Sequence, residues 1–405
     1  MYRYRETEVV DMVHEVVKRV EELGPELAAL AEENESLGKL SDQTASLMRQ
    51  IGVMRLLQPS DFGGYQAHPR DFAEAVMGIA KHDPAAGWVS GVVGVHPWEL
   101  AQMDRKLQQE IWGDDPDVWV ASPYMPNGVA DPTGDDSFVL SGRWPFSSGA
   151  DHCQWDFLGA MKGNGSGAPI MPPEVMHVVL PRSDYQIIDG SWEVVGLSGT
   201  GSKDVVVDKA TIPAYRTVMQ SDIAGGVAAA RAGRHDTVYK LSFGVMFPLG
   251  ITSAVIGICE GALATHLQIQ KDRVAVTGVQ VRDDPYALYA AGQAASEIAA
   301  SRTQLIDGIS RLYDIVESGG EPTTEDKSNQ RRNQVRCAWR AVQAVDAIFA
   351  RSGGGAIRKS SPMQRYWRDA HVGLQHMIHG DGVAYHSNAL HMMELDTPPG
   401  MLVML

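Results

Sequence analysis

The sequence predicts an α+β protein whose helices and strands occupy separate parts of the chain. Residues 1–116 carry helical apolar patterns, 117–222 carry short β-branched and aromatic segments between turn residues, and 223–405 return to long helical patterns. The predicted architecture is therefore an N-terminal helical domain, a central β-barrel or β-sandwich domain and a C-terminal four-helix bundle. This order differs from the βαβ alternation of a Rossmann oxidoreductase.

The first region has clear helix-start signals. Valines recur on one face of a helix predicted over residues 7–32, and Ser41 is a suitable N-cap for a second helix that ends near Met54. Asp83 followed by Pro84 predicts the start of a helix over residues 83–95. Gly91 and Gly94 in that helix would let another element approach its backbone closely.

The β region is predicted from short segments separated by Gly, Pro, Asp and Asn. The predicted strands are Val118–Ser122, Phe138–Ser141, Trp155–Gly159, Met176–Leu180, Trp192–Val195 and Asp204–Val207. Ser147 and Ser148 precede Gly149 at a change of chain direction, where small donors and bare backbone N–H groups would lie beside an apolar wall. Such a turn suits a flat heteroaromatic ring with polar edges, although an ordinary hairpin turn has the same pattern.

The last region predicts four long helices packed as a bundle. They cover residues 241–272, 284–317, 325–352 and 362–390. The Gly353–Gly355 run ends the third helix.

Composition excludes several classes of function. The net charge is −15 with no basic stripe, so we expect no nucleic-acid surface. The three cysteines lack C-x-x-C spacing, which fits a reducing compartment without disulfides. We found no signal-peptide pattern and no apolar run long enough for a membrane span, so the expected location is the cytoplasm.

Two motifs lack the context that they need. Gly196–Gly201 has the spacing G-x-x-G-x-G and precedes a strand, whereas a dinucleotide fingerprint opens a helix. His371, His376 and His379 fall on one predicted helix, but no carboxylate or cysteine completes a ligand set, so no metal is predicted.

The three-part layout and several local strings resemble the acyl-CoA dehydrogenase fold over nearly the whole chain. The strings are Trp144–Gly149, Trp192–Ser202 with Ile212-Pro213, Ser352–Gly355 and Gln364–Ala370. The resemblance implies a flavin beside the turn that contains Trp144, Ser147 and Ser148. It implies that Arg273 and the glycine-rich segment at Gly354 reach the flavin phosphates of a neighbouring subunit, within a homotetramer. Arg368 is a further cofactor-binding candidate, although a plain ion pair would also explain it.

One departure from the dehydrogenases bears on the reaction. Counting along Arg368–Met377 puts Met377 where many of them carry the glutamate that removes the substrate α-proton. Without that base, α-proton abstraction has no acceptor. Glu260 is the only acid between Leu241 and His266, so a base on another helix stays open.

The sequence is more similar still to the oxygenase components of two-component flavin monooxygenases, among them the hydroxylases of p-hydroxyphenylacetate and of a secosteroid phenol. The shared strings are Gly94–Trp98, Ser147–His152, Gly199–Ser202 and Gln364–His371. The resemblance implies an enzyme that uses reduced FMN, with FADH2 as the alternative, and O2 through a C4a-hydroperoxyflavin. A separate NAD(P)H–flavin reductase would supply the flavin, and the substrate would be a small aromatic compound, expected to be a phenol.

The resemblance also implies the roles of four residues. Ser147, or Ser148 next to it, would donate near flavin N5. His376 would lie beside the peroxide as an imidazolium. His96 and Ser122 would face the phenol hydroxyl, where an imidazole can exchange a proton near neutral pH. Each also has a structural interpretation, as a cap, a strand end or a buried hydrogen-bonding group.

Three alternatives remain at this point. An acyl-CoA dehydrogenase would hold FAD tightly and be reduced by an acyl-CoA. An oxygenase of the same fold could act on sulfur, nitrogen or an indole ring. A non-catalytic flavin carrier or helical scaffold would not need the hydroxyl and imidazole groups named above.

Overall fold

The computed structural model describes residues 13–134 and 136–398. In these residues the chain is helical up to Trp112, forms strands between Val120 and Met219, and is helical again from Gln220. The α-helices are α1 (Glu15–Leu37), α2 (Asp42–Ile51), α3 (Pro69–His82), α4 (Pro84–Val93), α5 (His96–Leu100), α6 (Arg105–Trp112), α7 (Gln220–Ala224), α8 (Val227–Arg231), α9 (Phe243–Asp272), α10 (Pro285–Glu317), α11 (Thr324–Phe349), α12 (Pro362–Leu374) and α13 (Asp381–Met392).

The strands form one eight-stranded sheet. They are β1 (Val120–Ala121), β2 (Gly128–Thr133), β3 (Ser137–Ser147), β4 (Trp155–Lys162), β5 (Val175–Pro181), β6 (Gln186–Ile188), β7 (Lys203–Pro213) and β8 (Thr217–Met219). Their order is β6-β7-β3-β2-β4-β5-β8, and β1 pairs in parallel with β4. The ladder between β3 and β7 shifts register twice, the second time between Trp144 and Ser147, just before the chain turns.

The N-terminal helices and the bundle share one hydrophobic core, while the sheet has a second, smaller core. Helix α9 lies in the first core between α3 and α4 on one side and α10, α11 and α12 on the other. It is long and apolar enough to cross a membrane, but 94% of its most apolar window is buried inside the protein, as in the core helix of a folded domain. Gly91 and Gly250 approach so closely that a Cβ on Gly91 would lie 2.4 Å from the Gly250 carbonyl oxygen.

The predicted helix starts are confirmed. Ser41 Oγ accepts the Thr44 backbone N–H, and Asp83 Oδ1 accepts those of Ala85 and Ala86, which satisfies donors that a helix start leaves unpaired. The first helix begins at Glu15, and residues 7–12 of its predicted range lie outside the described residues.

The strand predictions were partly wrong. Trp192–Val195 is not a strand, because the Trp192 indole N–H turns back to the carbonyl oxygens of Leu197 and Ser198 at 3.3 and 3.1 Å. Strands β2, β6 and β8 were missed. The predicted strand at Phe138 continues through Trp144 to Ser147, so the tryptophan belongs to the sheet and not to the turn.

The fourth bundle helix was predicted as continuous over 362–390 and is broken instead. Helix α12 ends at Leu374, a 3-10 turn covers Met377–His379, and α13 begins at Asp381. His376 adopts an extended conformation, and its imidazole accepts the backbone N–H of Ile378, so the side chain caps the new turn. His371 therefore lies on α12, whereas His376 and His379 lie in the break and not on the same helix.

Candidate active site

The turn after β3 joins the sheet to the helices through buried hydroxyls. Gly149 has a φ of 73°, which favours glycine, and its N–H donates to the Thr200 carbonyl oxygen at 2.9 Å. Ser148 Oγ lies 2.7 Å from Ser202 Oγ and accepts the Trp88 indole N–H at 3.3 Å. The Gly196–Gly201 segment thus supports this turn and is followed by β7, as its sequence context predicted.

Ser147 is fully buried and points to a carboxyl group that sequence reasoning missed. Its hydroxyl donates to Asp156 Oδ2 at 2.9 Å, and Asp156 Oδ1 has no hydrogen-bond partner among the described residues. Burial raises the pKa of Asp156 to about 7, and the Ser147 hydrogen bond opposes that rise. This carboxyl is therefore partly protonated at neutral pH.

His96, the first residue of α5, is completely buried. Its Nδ1 faces the Val120 carbonyl oxygen, which can only accept, so Nδ1 carries a proton. Its Nε2 lies 2.8 Å from Ser122 Oγ. Burial lowers the pKa of His96 to about 4, so the ring is neutral at pH 7 and Nε2 is a free base that accepts the Ser122 hydroxyl.

His376 is also neutral but has the opposite tautomer. Its Nδ1 accepts the Ile378 N–H at 3.3 Å, so the ring proton of the neutral form lies on Nε2. Burial, helped by the positive charge of Arg331, lowers the pKa of His376 to about 4. Burial therefore favours the neutral ring, whereas the resemblance implied an imidazolium at this position.

Both histidines border one cluster of aromatic side chains, which we call the aromatic cluster. It consists of Trp88, His96, Tyr124, Phe157, His177, Phe243, Phe247 and His376. His376 contacts Trp88 and Phe247, each at 6.0 Å between ring centroids. Tyr124 joins the two ends, with its centroid 5.1 Å from Phe247 and 5.5 Å from His96. The cluster is an aromatic environment between α4, α5, α9 and the sheet.

Glu99 and His177 were also missed. They lie at the far side of the aromatic cluster, where His177 Nδ1 is 2.6 Å from Glu99 Oε1 and both side chains are buried. Glu99 follows His96 by three residues on α5, so the two side chains share one helix face. That spacing was the signal in the sequence, but the partner on β5 is 78 residues away.

The predicted cofactor residues lie in different environments. Trp144 is fully buried in the core of the sheet, where its indole N–H donates to the Gly159 carbonyl oxygen at 2.7 Å, so it has no face free for a ring. Arg368 pairs with Glu35 and donates to Gln364 and to the Val195 carbonyl oxygen. It therefore ties α12 to α1 and to the loop before β7.

Arg273 and the run Gly353–Gly355 form a surface that suits an anion. Arg273 donates to the Arg351 carbonyl oxygen at 2.9 Å, and a Cβ on Gly353 would lie 2.6 Å from its Nη2. Gly354 and Gly355 have no described atom within 4 Å of a would-be Cβ, so the backbone here is open to an approaching phosphate. The hydroxyls near Ser148 and this cationic, glycine-lined surface fit the polar ring edge and the phosphate of a flavin.

The carboxylate of the dehydrogenases is not reproduced at the predicted positions. Met377 is 63% exposed in the break after α12. Glu260 Oε1 lies 3.1 Å from Arg302 Nη1 in an ion pair between α9 and α10. No group of three or more His, Cys, Asp or Glu among residues 13–134 and 136–398 could hold a metal, and Cys153, Cys259 and Cys337 are free and buried.

Comparison with known proteins agrees with this geometry. The family model for the acyl-CoA dehydrogenase C-terminal domain matches residues 249–380. A pigment production hydroxylase of Rhodococcus erythropolis is 48% identical over 96% of this chain and 99% of its own length. The flavin-dependent monooxygenase oxygenase subunit HsaA of Mycobacterium tuberculosis is 37% identical over 95% of this chain and 96% of its own.

A solved structure and a further relative extend the likeness. The crystal structure of 3-HSA hydroxylase from Rhodococcus sp. RHA1 superposes with a TM-score of 0.90 at 35% identity, covering 96% of this chain and 99% of that one. The oxygenase component of p-hydroxyphenylacetate 3-hydroxylase from Acinetobacter baumannii is 27% identical over 99% of this chain and 94% of its own. As the words "oxygenase component" imply, a separate reductase supplies the reduced flavin. The chain belongs to the flavin-dependent monooxygenases, as an oxygenase component of the acyl-CoA dehydrogenase fold that uses reduced flavin and O2 to hydroxylate an aromatic substrate.

Proposed function

We propose that the substrate is a phenol, that it lies in the aromatic cluster and that it is hydroxylated ortho to its own hydroxyl. The observation that carries this proposal is the pair of neutral histidines with opposite tautomers, a base at His96 Nε2 and a donor at His376 Nε2. A phenol needs a base at its hydroxyl, because loss of that proton makes the ortho carbon nucleophilic. The names of related hydroxylases point to the same class of substrate.

His96 and Ser122 take up the phenol proton in this proposal. Ser122 Oγ donates to His96 Nε2 and keeps lone pairs free to accept a phenol O–H. Proton transfer along this pair moves the phenol proton to His96 while its Nδ1–H remains bonded to the Val120 carbonyl oxygen. That bond stabilises the imidazolium that forms. One atom of O2 replaces the ring hydrogen and the other leaves as water.

His376 acts as a hydrogen-bond donor, not as a charged acid. Its ring contacts the Trp88 and Phe247 rings, and a neutral hydrogen bond is stronger in such apolar surroundings than in water. The same rings keep solvent from the reacting atoms. This role replaces the imidazolium that the resemblance implied.

Ser147 and Ser148 are the candidates to bind the flavin ring edge, and Arg273 with Gly354 to bind a phosphate. Ser148 is already linked to Trp88 of the aromatic cluster, whereas Ser147 would have to exchange Asp156 for the flavin. Bound reduced flavin supplies the electrons that activate O2. The exposed position of the glycine run supports a phosphate that belongs to a neighbouring subunit, in a homotetramer.

The proposed flavin is reduced FMN or FADH2, and the proposed location is the cytoplasm. The resemblance favours FMN, whereas a 26% identical relative is named as an FADH2-dependent resorcinol hydroxylase, so both flavins belong in any assay. The three free, buried cysteines are consistent with the proposed cytoplasmic location.

The test is to supply chemically reduced FMN or FAD, O2 and a panel of phenols, with an indole and a thioether as controls for the alternative substrates. We expect a catechol product from at least one phenol. A panel in which only H2O2 forms, or in which only indole or the thioether is oxygenated, would contradict the proposal. A fluorescence titration with each oxidised flavin shows which one binds.

A further inference from the structure

The Glu99–His177 pair lies outside the residues that the proposed reaction uses. Both side chains are almost completely buried, with 1% and 0% of their surface exposed. His177 Nδ1 bonds to Glu99 Oε1 at 2.6 Å, and burial, together with the nearby Glu99 carboxylate, raises the pKa of the Tyr124 hydroxyl. Glu99 therefore fixes the orientation of the His177 ring and leaves its Nε2 edge free.

His177 Nε2 is buried and has no hydrogen-bond partner among the described residues. Leaving a buried polar atom unpaired costs about 1–3 kcal/mol, so native proteins keep few of them. The surrounding groups cannot satisfy it, because Tyr124 stacks on the imidazole at 4.6 Å and Phe157 and Phe243 lie at 5.5 and 6.0 Å. A ligand atom is the partner that would remove this cost.

The fold places this free nitrogen in the same cluster as the reacting groups. Tyr124 and Phe157 contact both imidazoles, His96 at 5.5 and 6.2 Å and His177 at 4.6 and 5.5 Å. The approach of Tyr124 depends on Gly159, next to His177 in the sheet, because a Cβ there would lie 2.0 Å from the Tyr124 carbonyl oxygen. The two imidazoles therefore contact the same apolar rings.

We propose that His177 Nε2 binds a second hydroxyl of the aromatic substrate, so that the enzyme selects a dihydroxylated ring over a monophenol. A hydroxyl both donates and accepts, so it satisfies Nε2 whether or not that atom carries a proton. Glu99 is the positioning residue of this subsite and His177 its binding residue. The inference rests on the proposed function, since the first hydroxyl is the one at His96 and Ser122.

The wild-type enzyme provides the first test. Binding of phenol and of the three benzenediols is measured by calorimetry without flavin, and turnover of each is measured with reduced flavin. At least one diol should bind and react about tenfold better than phenol, the size of one good hydrogen bond. If phenol is hydroxylated but no benzenediol binds or reacts better than phenol, the proposed subsite is wrong and the proposed function stands. If no phenol of any kind reacts, the proposed function itself fails.

The second test removes the pair without leaving a buried charge. The double variant Glu99→Leu, His177→Leu replaces both partners with apolar groups, a change that proteins often tolerate. His371→Leu is the control, because it removes an imidazole that bonds to the Trp367 carbonyl oxygen outside the aromatic cluster. We expect the ratio of kcat/KM for the preferred diol over phenol to fall about tenfold in the double variant and to stay within about twofold in the control. An equal loss for both substrates would assign the pair a purely structural role.

Discussion

The two ends of the aromatic cluster hold histidines whose Nδ1 atoms contact different backbone groups. At the α5 end, the Nδ1 of His96 meets a carbonyl oxygen of β1, so the ring presents a bare Nε2. At the break between α12 and α13, the Nδ1 of His376 meets a backbone N–H, so the ring presents Nε2–H. Burial lowers both pKa values to about 4, so neither ring is charged at pH 7. Local backbone geometry, more than residue type, thus sets the two tautomers, and the proposed reaction uses one histidine as a base and the other as a donor.

Removing the base should have the largest effect. We expect His96→Ala to lower product formation about 100-fold, the lower range for loss of a general base. Ser122→Ala should lose less, about tenfold, because the phenol can then approach Nε2 directly. Product is quantified by chromatography under saturating reduced flavin. If turnover of His96→Ala stayed within threefold of wild type, His96 would not be the base.

Removing the His376 donor should divert oxygen from the hydroxylated product to H2O2. His376→Ala is expected to lower the yield of hydroxylated product about tenfold and to raise H2O2 correspondingly, because a lost transition-state donor costs about 1–2 kcal/mol in a dry site. His376→Gln keeps an N–H donor and should recover part of the yield.

The matched control for His376 is His371→Ala, five residues earlier on α12. His371 packs against Trp367 and bonds to its carbonyl oxygen, outside the aromatic cluster. The His371→Ala variant should have the same product-to-peroxide ratio as wild type. The same loss in both variants would point to a general disturbance of α12.

The charge states predict the pH profile. Because both folded pKa values are about 4, the neutral forms prevail from pH 6 to 8, and neither histidine should produce an inflection there. Activity should fall only toward pH 4, as His96 takes up a proton and ceases to be a base. The measurement is the yield of product per reduced flavin between pH 4.5 and 8.5. An imidazolium requirement at His376 would instead show as a loss of product above about pH 6.5, the ordinary pKa of histidine.

Asp156 provides a smaller, independent effect on stability. Its folded pKa of about 7 lies above the ordinary aspartate value, so the folded state binds a proton that the unfolded state has released. Its contribution to stability is greatest below about pH 4 and is lost as pH rises through 7, at roughly 1.4 kcal/mol for each unit of pKa difference. Asp156→Asn should therefore gain stability relative to wild type between pH 5 and pH 8 in denaturant titrations. A stability difference that does not change with pH would show that Asp156 is already ionised in the folded protein.

The sequence was sufficient for the parts of the fold that depend on local rules. Helix starts at Ser41 and Asp83, the turn at Gly149 and the helix–sheet–helix order all follow from capping, positive φ and apolar periodicity. Trp192–Val195 has strand composition, but the Trp192 indole bonds to its own loop. The break at His376 was missed because the helical pattern continues through it. Side chains compensate the interruption, among them the His376 imidazole bonded to the Ile378 N–H and Arg331 bonded to the Ile378 carbonyl oxygen.

The sequence identified candidate residues for the site, but it did not reveal their tautomers or protonation states. His96, Ser122 and His376 border or adjoin one cluster. The His96 tautomer depends on the Val120 carbonyl oxygen, 24 residues away, and the His376 tautomer depends on an N–H in a turn that the helical pattern did not predict. Glu99 and His177 were missed for a similar reason, since their pairing joins a helix to a strand far along the chain. Trp144 shows the opposite case, a residue whose motif indicated a ring contact and whose strand position buries it in the sheet.

The most direct test of the account is neutron crystallography of the perdeuterated protein at pH 7, which locates the ring protons of both histidines. The account predicts deuterium on Nδ1 but not on Nε2 of His96, and on Nε2 but not on Nδ1 of His376. Deuterium on both nitrogens of either ring, or the same tautomer in both, would contradict it.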